Sequence, residues 1–336
     1  MTFLLQQTLI YTVPLLIVAL AGIFAERSGV INLALEGIMI MGAFIGVLVV
    51  YSFQKAGVFD KDSGQVLMLI AMGISALCGA LFSLLLSFAA INLRADQTIG
   101  GTALNMLAPA FVLFMINLLT SQNTMNMFTG DAASWFMIKK TDLGFDRTAD
   151  LGILGETFLH KIYLTTYICI ALYIILSIIL YKTKFGLRLR ACGENPQAAD
   201  SLGINVYHMR YAGVTISGAL AGIGGFVFAL TTANCASTGD VAGFGFLALA
   251  VMIFGNWKPV NTALAAFLFG LCKCIGAAYA TIDINGDGVY LLKDLGIDPN
   301  IYRMLPFVIT LVVLAFTSSK SRAPKAEGIP YDKGSR

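Results

Sequence analysis

Charge is what this sequence is short of: only 12% of its 336 residues are Asp, Glu, Lys or Arg, about half the share usual in a soluble domain. That scarcity excludes water as the main solvent, because the 57% of residues that are hydrophobic cannot all be hidden in one soluble core. Histidine occurs twice, as His160 and His208. Neither has a companion suited to metal or nucleophile chemistry, so no catalytic constellation is present. The six cysteines (Cys78, Cys169, Cys192, Cys235, Cys272 and Cys274) lie mostly in apolar stretches without paired CxxC spacing. This argues against disulfides and a zinc site, and they read as small packing residues. No GxxxxGK[ST] pattern occurs, so the chain carries no P-loop of its own. The opening 24 residues have no positive n-region and no cleavage site before a polar stretch, and they read as a retained first span, not a removed signal peptide.

What is present is a series of long apolar runs. A helix needs about 20 apolar residues to cross the hydrocarbon, and the candidates are 9–24, 31–51, 66–92, 98–120, 162–181, 211–232, 243–254, 261–281 and 304–317. The fold expected is therefore an all-α integral membrane protein, a polytopic bundle of about nine transmembrane helices over residues 1–319 with a tail at 320–336. Two runs are irregular. Residues 243–254 are too short to cross alone and should be tilted, extended towards Asp240 or paired with irregular backbone. Residues 31–51 open on polar and glycine residues and read as a broken helix, a half-helix followed by a full one.

Basic residues flanking spans resist translocation and so mark the cytoplasmic side. Loop 182–210 carries Lys182, Lys184, Arg188, Arg190 and Arg210 against Glu194 and Asp200, and the tail carries Lys320, Arg322, Lys325, Lys333 and Arg336 against Glu327 and Asp332. Both belong in the cytoplasm. Segments 121–161 and 282–303 are acidic, with Asp131, Asp142, Asp146, Asp150 and Glu156 in the first and Asp283, Asp287, Asp294 and Asp298 in the second, and belong outside. Alternating nine spans between these anchors puts the N-terminus outside and the C-terminus in the cytoplasm. Arg27, Arg94 and Lys258 then fall on the cytoplasmic side as well.

Within the basic loop, Asn195 suits an N-cap, Pro196 the first helical position, and Gly203 the left-handed position past the end. This spells a helix of about two turns, too short to stand alone. Ala198, Ala199 and Leu202 are expected to share one face, with Arg188 and Arg190 just before it. Such an element suits docking into a groove of a cytoplasmic partner; a capped linker between two spans is the plainer reading.

The stretch RACGENPQAADSLGIN at 190–205 resembles the cytoplasmic loop of bacterial ABC importer permeases of the ribose and branched-chain amino acid type. SGVINLALEG at 28–37 is similar to an early signature of that family, and GFLALAVMIFGNW at 245–257 to a late one. The tail APKAEGIPY at 323–331 resembles that of the nucleoside and simple-sugar branch. The resemblance implies a second permease chain, identical or not, a cytoplasmic ATPase subunit that holds ATP and magnesium, and an extracellular substrate-binding lipoprotein. It also implies a multi-pass bacterial plasma membrane protein in contact with lipid and with no nucleic acid partner. The ATPase would dock on Arg188, Arg190, Gly193, Glu194, Asn195, Pro196, Ala198, Ala199 and Gly203. The solute expected is a nucleoside or similar small polar ring compound, with a ribose-like sugar or riboflavin as the alternative. From a different class, an ion-coupled secondary transporter would use Glu36 and Lys273 as coupling groups.

Polar residues inside apolar runs are the candidates for a substrate pathway, since an ionisable group at membrane depth is costly. Asn32, Glu36, Gly37, Asn105 and Phe244 form the expected set. Glu36 has two readings: lining the pathway, or sealing the cytoplasmic side by pairing with Arg27. Pro109, Asn117 and Asn234 mark further polar or irregular points. Phe111, Phe114, Phe226, Phe228 and Phe246 could stack on a base, although packing is the commoner use of such residues. Lys273 lies well inside the outer end of its span and should snorkel outward or meet an acid across the bundle. Separately, Asp283, Asn285, Asp287 and Asp294 occupy positions 1, 3, 5 and 12 of a calcium-loop pattern with the required glycine, Gly288, at position 6; Asp stands where the bidentate Glu belongs and Leu291 fills position 9. A calcium ion there competes with a simple polar turn.

Overall fold

The structure, a computed structural model, describes residues 2–128, 132–140, 146, 152–159, 162–280, 294–317 and 322–334. In hydrocarbon each backbone N–H must find its acceptor within its own segment, so apolar runs become helices. In chain order these are α1 (Thr2–Arg27), α2 (Leu35–Lys55), α3 (Gly64–Ser87), α4 (Gln97–Thr120), short α5 (Ala132–Phe136) and α6 (Gly152–Leu159), and α7 (Leu164–Lys182). There follow α8 (Lys184–Glu194), α9 (Pro196–Ser201), α10 (Val206–Thr231), α11 (Phe244–Phe254), α12 (Pro259–Ala278) and α13 (Pro299–Thr317). Phe88–Asn92 extends α3 as a π-helical turn.

Helices α1 and α10 form the centre, and α10 packs most extensively on α3, α2 and α1. Glycine makes this closeness available. A Cβ on Gly222 would overlap the Ser75 carbonyl oxygen of α3, and one on Gly42 of α2 would overlap the Gly222 carbonyl oxygen. Lipid tails are as apolar as leucine, so helices associate in a membrane by such close packing. Helices α3, α4 and α7, by contrast, leave most of their apolar surface exposed on the outside of the bundle.

Seven of the described helices (α1, α2, α3, α4, α7, α10 and α12) are long and apolar enough to cross a membrane. The other two expected spans appear as α11, only 11 residues long, and α13. The sequence expectation of a wholly helical chain needs two small corrections. Strand β1 (Met125–Asn126) pairs with β4 (Ala236–Ser237), and β2 (Met137–Ile138) with β3 (Ile162–Tyr163), both antiparallel. The first pair ties the loop after α4 to the loop after α10, at the end of the bundle opposite α8 and α9.

At that other end, four contacts gather distant parts of the chain. Arg27 closes α1 on Glu194 of α8 at 3.3 Å. Arg94, before α4, meets Asp332 of the tail at 3.0 Å. Trp257, between α11 and α12, donates its indole N–H to Glu26 Oε2 at 2.5 Å. The backbone N–H of Ala326 in the tail donates to Gly193 O at 2.9 Å. The basic loop, the tail, Arg27, Arg94 and Lys258 thus share one end of the molecule, the grouping that their charge requires.

Candidate functional site

Between α1 and α2 the chain leaves the helix for seven residues, 28–34. Gly29, at φ +92°, makes the reversal that an L side chain would resist. Non-helical backbone at membrane depth is stable only when protein satisfies it, and here each side chain of the polar set has that task. Asn32 is fully buried; its Nδ2 donates to Ser217 Oγ of α10 at 2.9 Å, and its Oδ1 accepts the Ala34 N–H at 3.2 Å. Asn105 of α4 is used at both ends: its Nδ2 donates to Leu33 O at 2.7 Å, and its Oδ1 accepts the Gly37 N–H at 2.8 Å. Gln97 Oε1 accepts the Ile31 N–H at 2.7 Å, a partner that sequence reasoning missed because Gln97 sits at a helix start with no apolar run to betray its depth. Residues 28–34 are an irregular segment leading into one full helix, without the half-helix expected before it. Gly37 packs directly on α4, where a Cβ would come within 2.8 Å of Leu104 O.

A second discontinuity faces the first. After α10 the backbone turns through left-handed residues Asn234, Cys235, Ala242 and Gly243 before α11 begins. The first turn of a helix presents backbone N–H groups without internal acceptors and the positive end of its dipole. Glu36 fills that place. Its Oε1 accepts the Gly243 N–H at 2.9 Å, and its Oε2 accepts those of Gly245 at 2.6 Å and Phe246 at 3.2 Å. A carboxylate taking three amide hydrogens is among the stronger arrangements a buried charge can have. The structure therefore rejects the pairing of Glu36 with Arg27, which instead meets Glu194. Lys273 of α12 completes the set: its Nζ donates to Ala242 O at 3.1 Å and lies 5.0 Å from the Phe244 ring and 5.6 Å from that of Phe307. Phe244 also packs against Phe228, ring centroids 4.8 Å apart, and Tyr11, 6.4 Å apart. Glu36, Phe244 and Lys273 come together, while Asn32 and Asn105 sit on the neighbouring segment. The exposed rings of Phe111 and Phe114 lie elsewhere, on the outer face of α4.

The short element between α8 and α10 has the caps its sequence spells. Asn195 Oδ1 accepts the Ala198 N–H at 3.0 Å, Pro196 opens α9, and Gly203 takes φ +80° just past its end. The expected shared face is corrected: Ala199 is buried against Cys192, Val206 and Tyr331, whereas Ala198 and Leu202 point to solvent. A turn this short has room for only one residue to face inward. Arg188 is exposed, but Arg190 lies over the Tyr181 ring at 4.6 Å. Burial pushes the Cys192 thiol up to about 11, so it stays protonated.

The tail is the feature the sequence under-sold. It lies across the end of the bundle: Arg210 Nη1 donates to Ile329 O at 2.9 Å, the rings of Tyr331 and Tyr207 meet edge-on at 5.3 Å, and Arg94 grips Asp332 with two bonds of 3.0 and 3.1 Å. The Glu327 carboxyl rests beside that of Glu26, and its burial pushes it above the ordinary carboxylate range.

Asp283, Asn285 and Asp287, the main oxygen donors of the calcium pattern, lie outside the described residues, as does His160. Among the described residues no group of three or more His, Cys, Asp or Glu is placed to hold a metal ion.

Over residues 4–314 the sequence matches the family described as branched-chain amino acid transport system / permease component. It is 40% identical to the guanosine ABC transporter permease protein NupQ of Bacillus subtilis, covering 100% of this chain and 98% of that one. It is 38% identical to the nucleoside ABC transporter permease protein NupC of Lactococcus lactis subsp. cremoris, over 97% of this chain and 95% of the relative. A putative glucose ABC transporter permease protein of Haloferax volcanii, TsgC13, is 28% identical over 93% and 91%. No solved structure matches.

Proposed function

We propose that this chain, which belongs to the branched-chain amino acid transport system permease family, is the nucleoside-carrying permease subunit of an ATP-binding-cassette importer in a bacterial plasma membrane. The observation that carries the solute class is full-length similarity to two permeases named for guanosine and for nucleosides. The more distant likeness to a putative glucose permease keeps a simple sugar as the second reading.

In this reading the end of the bundle bearing Arg27, Arg94, α8, α9 and the tail faces the cytoplasm, and the N-terminus faces outward. Nine segments then traverse the bundle, the one that contains α11 partly as non-helical chain. Helix α11 reaches only part of the way, about 16 Å at 1.5 Å per residue, and its N-terminus meets Glu36 within the membrane. An ATPase subunit supplies the hydrolysis, since this chain has no P-loop, and docks around α9. A substrate-binding protein delivers solute at the opposite end, and a second permease chain completes the channel.

Mechanistically, α8, which leads through Asn195 directly into α9, is coupled to α1 through Glu194 and Arg27, and α1 to the α11–α12 turn through Glu26 and Trp257. Closure of ATPase subunits would push this connected end as one body. The two facing discontinuities, held together by Glu36, are where the bundle has fewest continuous helical hydrogen bonds, and so where it can bend between outward-open and inward-open states. The amides of Asn32 and Asn105 would hold the irregular segment beside the pathway, while Phe244, buried here against Phe228, would present a stacking face to a base only once the bundle opens.

The test is purification of the tagged chain from its host membrane. A companion subunit with nucleotide-dependent ATPase activity that nucleosides and the binding protein stimulate is the expected result. Purification without any ATPase, with ion-gradient-driven uptake by the chain alone, would overturn the proposal in favour of a secondary transporter.

A further inference from the structure

The underside of the tail is committed to the bundle, through Ala326 to Gly193, Arg210 to Ile329, Tyr331 to Tyr207 and Asp332 to Arg94. Its outer side, with that of α9, bounds a cleft of about 650 Å³ lined by Asn195, Gln197, Asp200, Ser201, Tyr331 and Lys333. A smaller recess of about 260 Å³ continues it along Lys325, Ala326 and Ile329. The two walls come from segments more than a hundred residues apart in sequence, yet Tyr331 belongs to the same buried cluster as Cys192, Ala199 and Val206. The short helix is therefore held in place in part by the tail.

From this geometry we infer that the C-terminal tail is the second wall of the ATPase seat: residues 325–333 and α9 together receive one projection of the ATPase subunit. The inference rests on the importer reading above and adds the tail to its docking surface. Three observations favour a protein occupant of this kind. The recess carries one large exposed apolar side chain, Ile329 at 56% exposure, and a second, Leu202 at 83%, follows the last residue of α9; leaving such surface in water is costly. Lys325 and Lys333 stand exposed on the tail wall while Asp200 lines the α9 wall, so the cleft presents both charge signs to the polar edge of a protein partner. And the cleft opens at the end of the bundle that holds the basic loop, continuous with the helix to which the ATPase is already assigned.

A consequence follows for force transfer. The tail is bonded to α8, α10 and the α3–α4 turn, and Arg322 N–H donates to Asn256 Oδ1 at 2.8 Å beside α12. A partner seated on both walls therefore moves those elements with α9 and does not press on one two-turn helix alone.

The experiment titrates purified ATPase subunit onto the full-length permease in nanodiscs. It compares wild type with Ile329→Asp, Lys333→Glu and the pair, since these exposed side chains are not buried in the bundle. At least tenfold weaker binding by the pair, with unchanged melting temperature and with nucleoside-stimulated ATPase lost in proportion, is expected. Affinity within twofold of wild type overturns the inference while leaving the importer reading intact. Conversion of a permease dimer to monomers with ATPase affinity unchanged also overturns it, assigning the tail to a contact between permease chains. Absence of binding by the wild type would overturn both readings.

Discussion

Glu36 Oε2 accepts the backbone N–H of Gly245 at 2.6 Å, across a sequence separation of 209 residues. One carboxylate thus serves as the N-terminal cap of a helix to which it does not belong, and joins the two places where the bundle's helices are interrupted. Removing it leaves the first-turn amides of α11 without acceptors in a region where water is scarce. Charge-assisted bonds of this kind contribute about 1.5–3 kcal/mol each in favourable settings, less when summed. Glu36→Ala is expected to lower the melting temperature of the detergent-solubilised protein by several degrees and to reduce uptake at least tenfold, with Glu36→Gln intermediate. A Glu36→Ala protein as stable and active as wild type would show that the cap is dispensable.

Glu194 and Pro196 act at the other end. Glu194→Ala breaks the link to Arg27, and Pro196→Ala loosens the start of α9. Both should insert normally and keep basal ATPase activity in the assembled complex, while moving at least fivefold less nucleoside per ATP hydrolysed. The ratio of uptake to hydrolysis in proteoliposomes is the measurement; an unchanged ratio would deny this loop its coupling role.

Docking of the tail should depend on pH through Glu327. Its carboxyl is raised above the ordinary range by burial, with the Glu26 hydrogen bond and the charge of Arg27 acting the other way. A group of higher pKa docked than free binds more protons when docked, so its contribution is full at pH below the ordinary carboxylate value and is lost as pH rises through the raised one. Asp332 has the opposite sign. The Gly334 N–H, and then Arg94, hold it below its usual value, so its contribution is present at neutral pH and is lost as pH falls through the lowered value. A fluorophore on Lys333→Cys should report release of the tail with rising pH, and Glu327→Gln should flatten that dependence. Release that grows only on acidification would contradict the sign.

Packing at the centre sets a separate expectation. Gly222 lies against Ser75 and Gly42 with no space for a side chain, and overpacking of a tight core costs about 1–3 kcal/mol or more. Gly222→Leu should reduce the amount of folded protein recovered from membranes several-fold, whereas Gly73→Leu, in open space on α3, should not. Equal recovery of the two would dismiss the close helix approach.

Much of this was legible in the residues. Apolar runs located the helices, charge located the two ends, and Asn195, Pro196 and Gly203 spelled α9, because each of these signals is local. Glu36 was visible as an anomaly, but its partner was not: the donors that settle it are backbone N–H groups of Gly243, Gly245 and Phe246, which have no side-chain signature. Asn32 and Asn105 read as groups facing a solute for the same reason, since nothing in an amide's sequence position tells whether it will bind a ligand or a broken backbone. The tail read as a polar terminus; its placement depends on Arg94, Gly193 and Arg210, drawn from three separate loops and helices.

The central claim is that ATP, hydrolysed by a partner seated at the α9 end, drives nucleoside inward through this chain. Uptake of labelled guanosine into membrane vesicles, with binding protein outside and ATP supplied to the cytoplasmic face, tests it most directly. Uptake that requires ATP and persists after an uncoupler collapses the proton gradient is predicted; uptake that ignores ATP and vanishes with the gradient would contradict the account.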